Sequence, residues 1–176
     1  FFALMLLLTR LLKPYIYPMN HGHTTFTVAE ARAKLERYCA YQDRSHRQVV
    51  EKLKAMRMIP EAQEQIITHL IAHNFLNESR FAQSFARGKF RIKKWGKSRI
   101  TLELKRHDIG RYNIALALKD ISDADYRATF EELVSKRTQQ LSHETNSYKK
   151  KRKLVDYLLY RGWESHWVYE AAADLD

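Results

Sequence analysis

The chain has 176 residues, a mass of 20.9 kDa and a formal net charge of +11, from 31 Lys and Arg against 20 Asp and Glu. It is 45% hydrophobic and contains only 5 glycines and 3 prolines, which argues against a turn-rich all-β fold and favours an all-α fold. The charge favours a polyanion or an acidic protein surface as partner, although Lys and Arg on solvated helix faces would give the same total.

The first 26 residues differ from the rest and are expected to form an apolar, disordered N-terminal extension. Their apolar run is much shorter than the ~20 residues of a membrane-spanning helix, and positive charge follows it instead of preceding it as in a secretory signal. One hypothesis is that the natural chain begins at Met19. The pair His21 and His23 supplies only two metal ligands and makes a weak site.

The single cysteine, Cys39, has no second thiol in the chain to pair with. An intrachain disulfide is therefore impossible, which suits a reducing cytoplasm. No fitting base or ligand set lies near it in sequence, so Cys39 is expected to be a packed, unreactive thiol.

From residue 27 onward the pattern is helical, and several helix starts carry recognisable caps. A hydroxyl residue followed three positions later by Glu or Gln forms a capping box, and proline favours the first position of a helix. The capping boxes are Thr27 with Glu30 and Ser45 with Gln48, Pro60 stands at a first helical position, and Ser122 with Asp125 supplies another start.

An apolar pattern that spans a helix, a short turn and a second helix occurs three times, each time after a further amphipathic segment. The matching positions are Val49, Leu53, Met58, Ile66, Ile67 and Leu70, then Ile100, Leu104, Ile109, Ala117, Leu118 and Ile121, then Leu154, Leu158, Trp163, Ala171, Ala172 and Leu175. We therefore predict an elongated tandem array of three three-helix repeats, at residues 27–74, 75–121 and 122–176.

The middle repeat is predicted to contain a helix, a charged joint and a second helix. Phe81 and Phe85 lie one helical turn apart and are expected on the core face of the first helix. Residues 87–97 are interpreted as the joint, with Phe90 and Trp95 as its anchors.

Positive charge is concentrated in this joint and in residues 149–153. The second cluster opens a helix, where the dipole disfavours cations unless an anion or an acidic neighbour compensates them; a flexible solvated loop explains the run equally well. On charge alone, the candidate binding residues are Arg87, Arg91, Lys93, Lys94, Lys97 and Arg99, followed by Lys150, Lys151 and Arg152.

Signatures of enzymes are missing from the sequence. There is no GxxxxGK loop and no GxGxxG fingerprint. His69 and His73 are spaced to share a helix face, but the glutamate of a HExxH site is absent, so packed or solvated histidines are expected. We predict no catalytic residue, no cofactor and no metal.

Two motifs stand out in the second and third repeats. The first combines a leucine, acidic residues, Arg-Phe-Ala, a basic Lys/Gly segment, an Arg-Ile pair and a leucine helix; the second is LLYRGW near the end of the chain. Together they resemble the RecX family, regulators of the RecA recombinase, although Asn77 stands where that family more often has aspartate, an equally good cap. The residues of the first motif are Leu76, Glu78, Arg80, Phe81, Ala82, Lys94, Gly96, Arg99, Ile100 and Leu104.

The resemblance implies a cytoplasmic, non-catalytic protein that binds the RecA filament on DNA and restrains ATP hydrolysis, strand exchange and coprotease activity in recombination and the SOS response. We expect a monomer that binds no membrane and contacts the filament through the basic residues named above, which would meet either acidic filament surface or DNA phosphates; direct binding to DNA is left open.

Two alternatives remain open. Three-helix units also resemble helix-turn-helix DNA readers, so the chain could bind DNA independently of RecA. A protein-binding scaffold that uses Trp163 and Trp167 is the other alternative, but Trp163 falls at a repeated core position and is expected to be packed.

Overall fold

The computed structural model describes residues 25–175. This part of the chain is helical and contains no strand, which confirms the prediction of an all-α fold. The predictions for the region before residue 25, including those on Met19, His21 and His23, lie outside the described residues. The helices are α1 (Val28–Tyr41), α2 (His46–Ala55), α3 (Pro60–Ala72), α4 (Glu78–Lys93), α5 (Lys97–Arg106), α6 (Arg111–Lys119), α7 (Asp123–Gln140), α8 (Ser147–Tyr160) and α9 (Ser165–Ala173).

The predicted helix starts are confirmed. Both capping boxes form. The Thr27 and Ser45 hydroxyls accept hydrogen bonds from backbone amides inside α1 and α2, and the side chains of Glu30 and Gln48 accept hydrogen bonds from the backbone amides of Thr27 and Ser45. Pro60 occupies the first turn of α3. The side chains of Asn77 and Ser122 cap α4 and α7 in the same way, by accepting from the amides of Arg80 and Asp125.

All the repeated apolar positions are buried or partly buried. The partly buried ones are Met58, Ile67, Leu118 and Ala171, and the others lie in the core, Trp163 among them at 2% exposure. The pattern therefore predicted the inward face of each helix pair correctly, and the helices fit a helical repeat array.

The array contains two separate cores. Helices α1 to α3 enclose one of them, around Leu35, Leu53 and Leu70. The other runs without interruption through α4 to α9, from Phe81 to Leu175. Since buried apolar area is the main source of cohesion, α4 to α9 form one body, to which the first three helices are attached through polar contacts. None of the described helices is long and apolar enough to cross a bilayer.

The predicted joint of the middle repeat was placed wrongly over most of its length. Helix α4 continues through Lys93, because the apolar face of Phe81, Ala82 and Ala86 is extended by the buried Phe90. The helix ends where Lys94 takes a left-handed conformation with φ of 54°. Only residues 94–96 therefore link α4 to α5.

Candidate binding surface

The short link between α4 and α5 lies against the turn between α8 and α9. The Gly96 amide donates a hydrogen bond of 2.8 Å to the carbonyl of Arg161. A Cβ at Gly96 would lie 2.1 Å from the Gly162 carbonyl oxygen, and Gly162 has a φ of +79°. Both positions therefore require glycine, one for the close approach of two backbones and the other also for its conformation.

Aromatic side chains surround this contact and tie the link to α7 and α9. The indole of Trp163 donates to the carbonyl of Lys94 at 3.3 Å, and its ring centroid lies 4.5 Å from that of Tyr126. The Tyr126 hydroxyl accepts from the Lys97 amide at 2.8 Å and donates to Glu164. Burial raises the pKa of Tyr126, and the Glu164 carboxylate raises it further against the opposing effect of the Lys97 amide. The phenol therefore stays neutral and keeps donating.

Two of the predicted binding residues, Lys97 and Arg99, take part in this junction. The Arg99 guanidinium lies between two rings, 4.2 Å from the Trp95 centroid and 4.3 Å from that of Tyr160, and donates to the Tyr160 carbonyl. The Lys97 ammonium lies 3.0 Å from Asp123. These cations are engaged within the chain and hold α5 against the last three helices.

Among the candidate cations of the middle repeat, the exposed ones lie on α4. Arg87 and Arg91 are one helical turn apart and, like Lys93, are solvent-exposed. Lys94 is partly buried in a recess that it shares with Arg91, and its ammonium lies 3.4 Å from Glu132 of α7. The candidate cations on α4 are therefore open to solvent, whereas Lys94, just after the end of α4, lies beside the carboxylate of Glu132.

The second basic cluster is helical, so the alternative of a flexible loop is wrong for it. Helix α8 begins at Ser147, and the Lys151 ammonium lies 3.4 Å from the Ala173 carbonyl near the end of α9. Arg152 lies 3.8 Å from Asp156. Glu144 accepts a hydrogen bond of 2.6 Å from Lys153, and this contact lowers the pKa of that carboxyl. An acidic neighbour thus compensates part of the charge at the start of α8.

The nine candidate residues fall into three places and not one. Arg87 and Arg91 share one side of α4, Lys93 lies on a different side of the same helix, and Lys94, Lys97 and Arg99 belong to the junction. Lys150, Lys151 and Arg152 lie at the start of α8, about 15 Å along the helix from the Tyr160 end that meets Arg99.

Another polar contact joins the first three helices to α4. The Asp43 carboxylate accepts from Arg80 at 2.7 Å and from Ser84 at 2.6 Å, and Arg80 also donates to the carbonyls of Asn74 and Phe75. Burial alone would raise the pKa of Asp43, but the hydrogen bonds from Ser84 and Arg80 outweigh it and the pKa lies below its usual value. The arginine of the Arg-Phe-Ala motif is thus a tie between helices.

Of the cysteine and the histidine pair singled out in the sequence, Cys39 is buried, His69 is partly buried and His73 is exposed. Cys39 is 3% exposed, and burial raises the pKa of its thiol, which confirms a packed cysteine. His69 lies 2.6 Å from Glu36, and its ring is 4.1 Å from that of His73. Among residues 25–175, no group of three potential metal ligands comes together.

Sequence reasoning missed the partners of the junction, namely Tyr126, Tyr160 and Glu164. The signal for the contact itself was present, since a tryptophan and a glycine are adjacent in both turns, as Trp95-Gly96 and Gly162-Trp163. Nothing in the local pattern shows that these two turns meet, because they lie far apart along the chain.

Comparisons with known proteins identify the family. Family models for the second and the third three-helix domain of RecX match residues 77–118 and 124–171. The regulatory protein RecX of Yersinia pseudotuberculosis (strain IP 31758) is 33% identical over 105 residues, which cover 59% of this chain and 55% of that protein. The regulatory protein RecX of Lactobacillus johnsonii is 30% identical over 89 residues, 51% of this chain and 33% of that protein. The chain thus spans about half, or less, of the length of these relatives.

Solved structures share the fold. The crystal structure of RecX from Lactobacillus salivarius superposes with a TM-score of 0.71 at 23% identity, covering 85% of this chain and 96% of that one. A crystal structure of regulatory protein RecX gives a TM-score of 0.70 at 24% identity, covering 83% and 74%. With the family models matched over two successive three-helix domains, the chain belongs to the RecX family of regulatory proteins.

Proposed function

We propose that this chain binds the filament that RecA forms on DNA and, by occupying it, restrains RecA's ATP hydrolysis, strand exchange and coprotease activity. The protein acts in recombination and the SOS response and performs no catalytic step of its own. The observation that carries the proposal is the exposed cationic edge of α4, displayed on a body of six helices with one shared core.

Regulation by occupancy requires a surface that keeps its shape when it binds. Helix α4 meets this requirement, because its inner face supplies Phe81, Ala82 and Phe90 to the shared core while Arg87 and Arg91 stay exposed. Cations held on a packed helix face lose less freedom on binding than cations on a flexible loop. Acidic filament surface or DNA phosphates are the chemistry that fits this edge.

The nine cations do not play equal parts in this proposal. Arg87, Arg91 and Lys93 are the filament contacts, and the start of α8 is a secondary contact. Lys94 is compensated by Glu132, 3.4 Å from its ammonium. Lys97 and Arg99 act indirectly, because their side chains already bind Asp123, Trp95 and Tyr160 and fix the position of α5.

The test is the DNA-dependent ATPase of RecA on single-stranded DNA, with this protein titrated in. We expect the wild type to inhibit and the double variant Arg91→Glu/Lys93→Glu to require at least tenfold more protein for half-inhibition. The matched control is Arg111→Glu/Lys136→Glu, which makes the same charge change at exposed positions of the same six-helix body. Equal inhibition of the RecA ATPase by the two variants would show that the exposed cations of α4 are not the filament contact.

A gel-shift comparison separates this function from RecA-independent DNA binding. Filaments on DNA are expected to be bound more tightly than the same DNA without RecA. Tight, sequence-dependent binding to naked duplex, with no inhibition of RecA, would contradict the proposal and favour the helix-turn-helix alternative.

A further inference from the structure

An apolar groove runs between α7 and α9, on the last three helices. Its floor is formed by Phe130, Val134, Trp167 and Ala171, and its volume is about 330 Å³. Trp167 and Val134 are only partly buried, so the floor keeps apolar area open to solvent. The size is that of a small binding cleft, enough for a few side chains.

The rim of the groove is acidic, in contrast to the chain as a whole. Glu131, Glu170 and Asp174 line it, against a single cation, Arg127. Arg127 is already compensated, since it lies 2.9 Å from Glu131 and 4.7 Å from the ring centroid of Trp167. Glu170 and Asp174 lie one helical turn apart and form no salt bridge within residues 25–175. A chain with a net charge of +11 therefore carries a local negative rim around exposed apolar area.

The apolar floor and the acidic rim together determine which class of ligand fits the groove. Nucleic acid and anionic membrane surfaces would bring negative charge against the unpaired carboxylates of Glu170 and Asp174, which is unfavourable. A purely apolar ligand would leave those carboxylates without partners. The matching chemistry is a protein segment with apolar side chains for the floor and lysines or arginines beside them for the rim, as an amphipathic helix presents.

We propose that the groove between α7 and α9 docks a basic amphipathic segment of the protein component of the filament. The inference rests on the proposed function and deepens it. The basic edge of α4 recognises polyanion, whether protein or phosphate, and by itself does not distinguish a filament from bare DNA. The groove adds a contact that only protein satisfies, and two contacts on one body with a shared core bind more tightly together than either does alone when their spacing matches the filament.

The test compares two double variants with the same charge change. Glu170→Lys/Asp174→Lys alters the rim, and Glu64→Lys/Asp120→Lys is the control, because Asp120 and Asp174 are both exposed C-cap residues and Glu64 and Glu170 are both exposed within helices. Circular dichroism checks that each variant is folded. Binding is measured to RecA filaments on single-stranded DNA and to the same DNA without RecA.

We expect the rim variant to bind filaments at least tenfold more weakly than the control, although it binds bare DNA no more weakly than the control does. Equal filament binding by rim variant and control overturns this inference and leaves the proposed function standing. Absence of filament binding by the wild type overturns both.

A second arm uses model peptides and sedimentation. A helical peptide of leucine and lysine is expected to change the tryptophan fluorescence of the wild type, with the change lost in the rim variant, while a leucine and glutamate peptide has no effect. A wild-type dimer that only the rim variant abolishes would identify a second copy as the occupant and overturn the inference.

Discussion

The backbones of Gly96 and Gly162 are in direct contact, although the two residues lie in different turns far apart in the sequence. The amide of Gly96 donates to the carbonyl of Arg161, and the space for a Cβ at either glycine is already filled by backbone or by Arg99. The contact fixes α4 and α5 relative to α8 and α9. Because the exposed cations of α4 and the groove beside α9 both belong to this body, this close approach and the shared core together set their spacing.

We expect Gly96→Ala and Gly162→Ala each to destabilise the protein by about 2–4 kcal/mol, since the new methyl group meets backbone and Gly162 in addition has a left-handed conformation. Thermal and urea-induced unfolding measure the effect. Gly88→Ala is the matched control, because Gly88 lies inside α4 and an added Cβ would meet nothing within 4 Å beyond the neighbouring backbone of its own helix; alanine there should stabilise by about 0.5–1 kcal/mol. Equal stability of all three variants would show that the backbones at Gly96 and Gly162 do not approach each other closely enough to require glycine.

The tie between Asp43 and Arg80 predicts a pH-dependent stability. The pKa of Asp43 is lowered in the folded state. Its contribution to the free energy of unfolding is therefore fully present above the pKa that Asp43 has in the unfolded chain, and it disappears as the pH falls through the lower pKa that Asp43 has in the folded protein. At neutral pH, Asp43→Asn should lower the free energy of unfolding by about 1–2 kcal/mol, a modest figure because 23% of the Asp43 side chain is exposed. The difference from the wild type should shrink as the pH falls below the ordinary pKa of an aspartate, about 3.9, and should disappear once the pH is below the lowered folded value.

The measurement is urea-induced unfolding of the wild type and Asp43→Asn at several pH values. Glu51→Gln is the control, since it removes a carboxylate from an exposed ion pair with Arg47 on α2 and should change stability far less. A constant difference between the wild type and Asp43→Asn across the pH range would show that the ionised carboxylate is not what stabilises the contact.

How far the sequence predicted this fold depends on the range of the interactions involved. Caps such as Ser45 and Asn77 act on backbone three residues away, and positions such as Leu104 and Leu158 follow a helical period, so local patterns located them. The end of α4 was misplaced because the glycine and the charges that follow Phe85 suggested a break, whereas the burial of Phe90, a tertiary contact, extends the helix.

The candidate site was less predictable for the same reason. Charge identified Arg91 and Arg99 alike, but only the folded chain places Arg99 between two rings while Arg91 stays exposed. The acidic rim of the groove was not anticipated, because Glu170 and Glu131 come together only through the packing of α9 on α7.

Substitutions in two groups of cations in the middle repeat should have different effects: those at the junction should lower stability, and those at exposed positions of α4 should weaken filament binding. The double variant Lys97→Gln/Arg99→Gln removes the contacts with Asp123, Trp95 and Tyr160 and should lower the melting temperature by about 2–6 °C. Arg91→Gln/Lys93→Gln removes the same charge from exposed positions and should leave the melting temperature within about 1 °C while it weakens filament binding.

Differential scanning fluorimetry and filament binding, the latter well below the melting temperature, measure the two effects. The assignment of roles would fail if Arg91→Gln/Lys93→Gln lowered the melting temperature as much as the junction variant, or if it left the affinity for filaments unchanged.

Removal of the negative charge of Glu132 should give a variant that binds RecA filaments more tightly than the wild type does. It lies 3.4 Å from the Lys94 ammonium, in the recess that Arg91 also lines, and so offsets part of the positive potential at the end of α4. The pair is partly exposed, and breaking it should cost little stability. Glu132→Gln should therefore raise the affinity for RecA filaments about two- to fivefold at low salt.

Titrations at about 50 and about 200 mM salt test this expectation, because the gain should shrink as salt screens the charges. Glu64→Gln makes the same change of net charge on α3, away from α4, and should raise the affinity less. If both variants gain equally, only net charge matters and α4 is not the contact. If Glu132→Gln gains more, then the end of α4 lies close to negative charge in the bound filament, as direct contact through Arg91 requires.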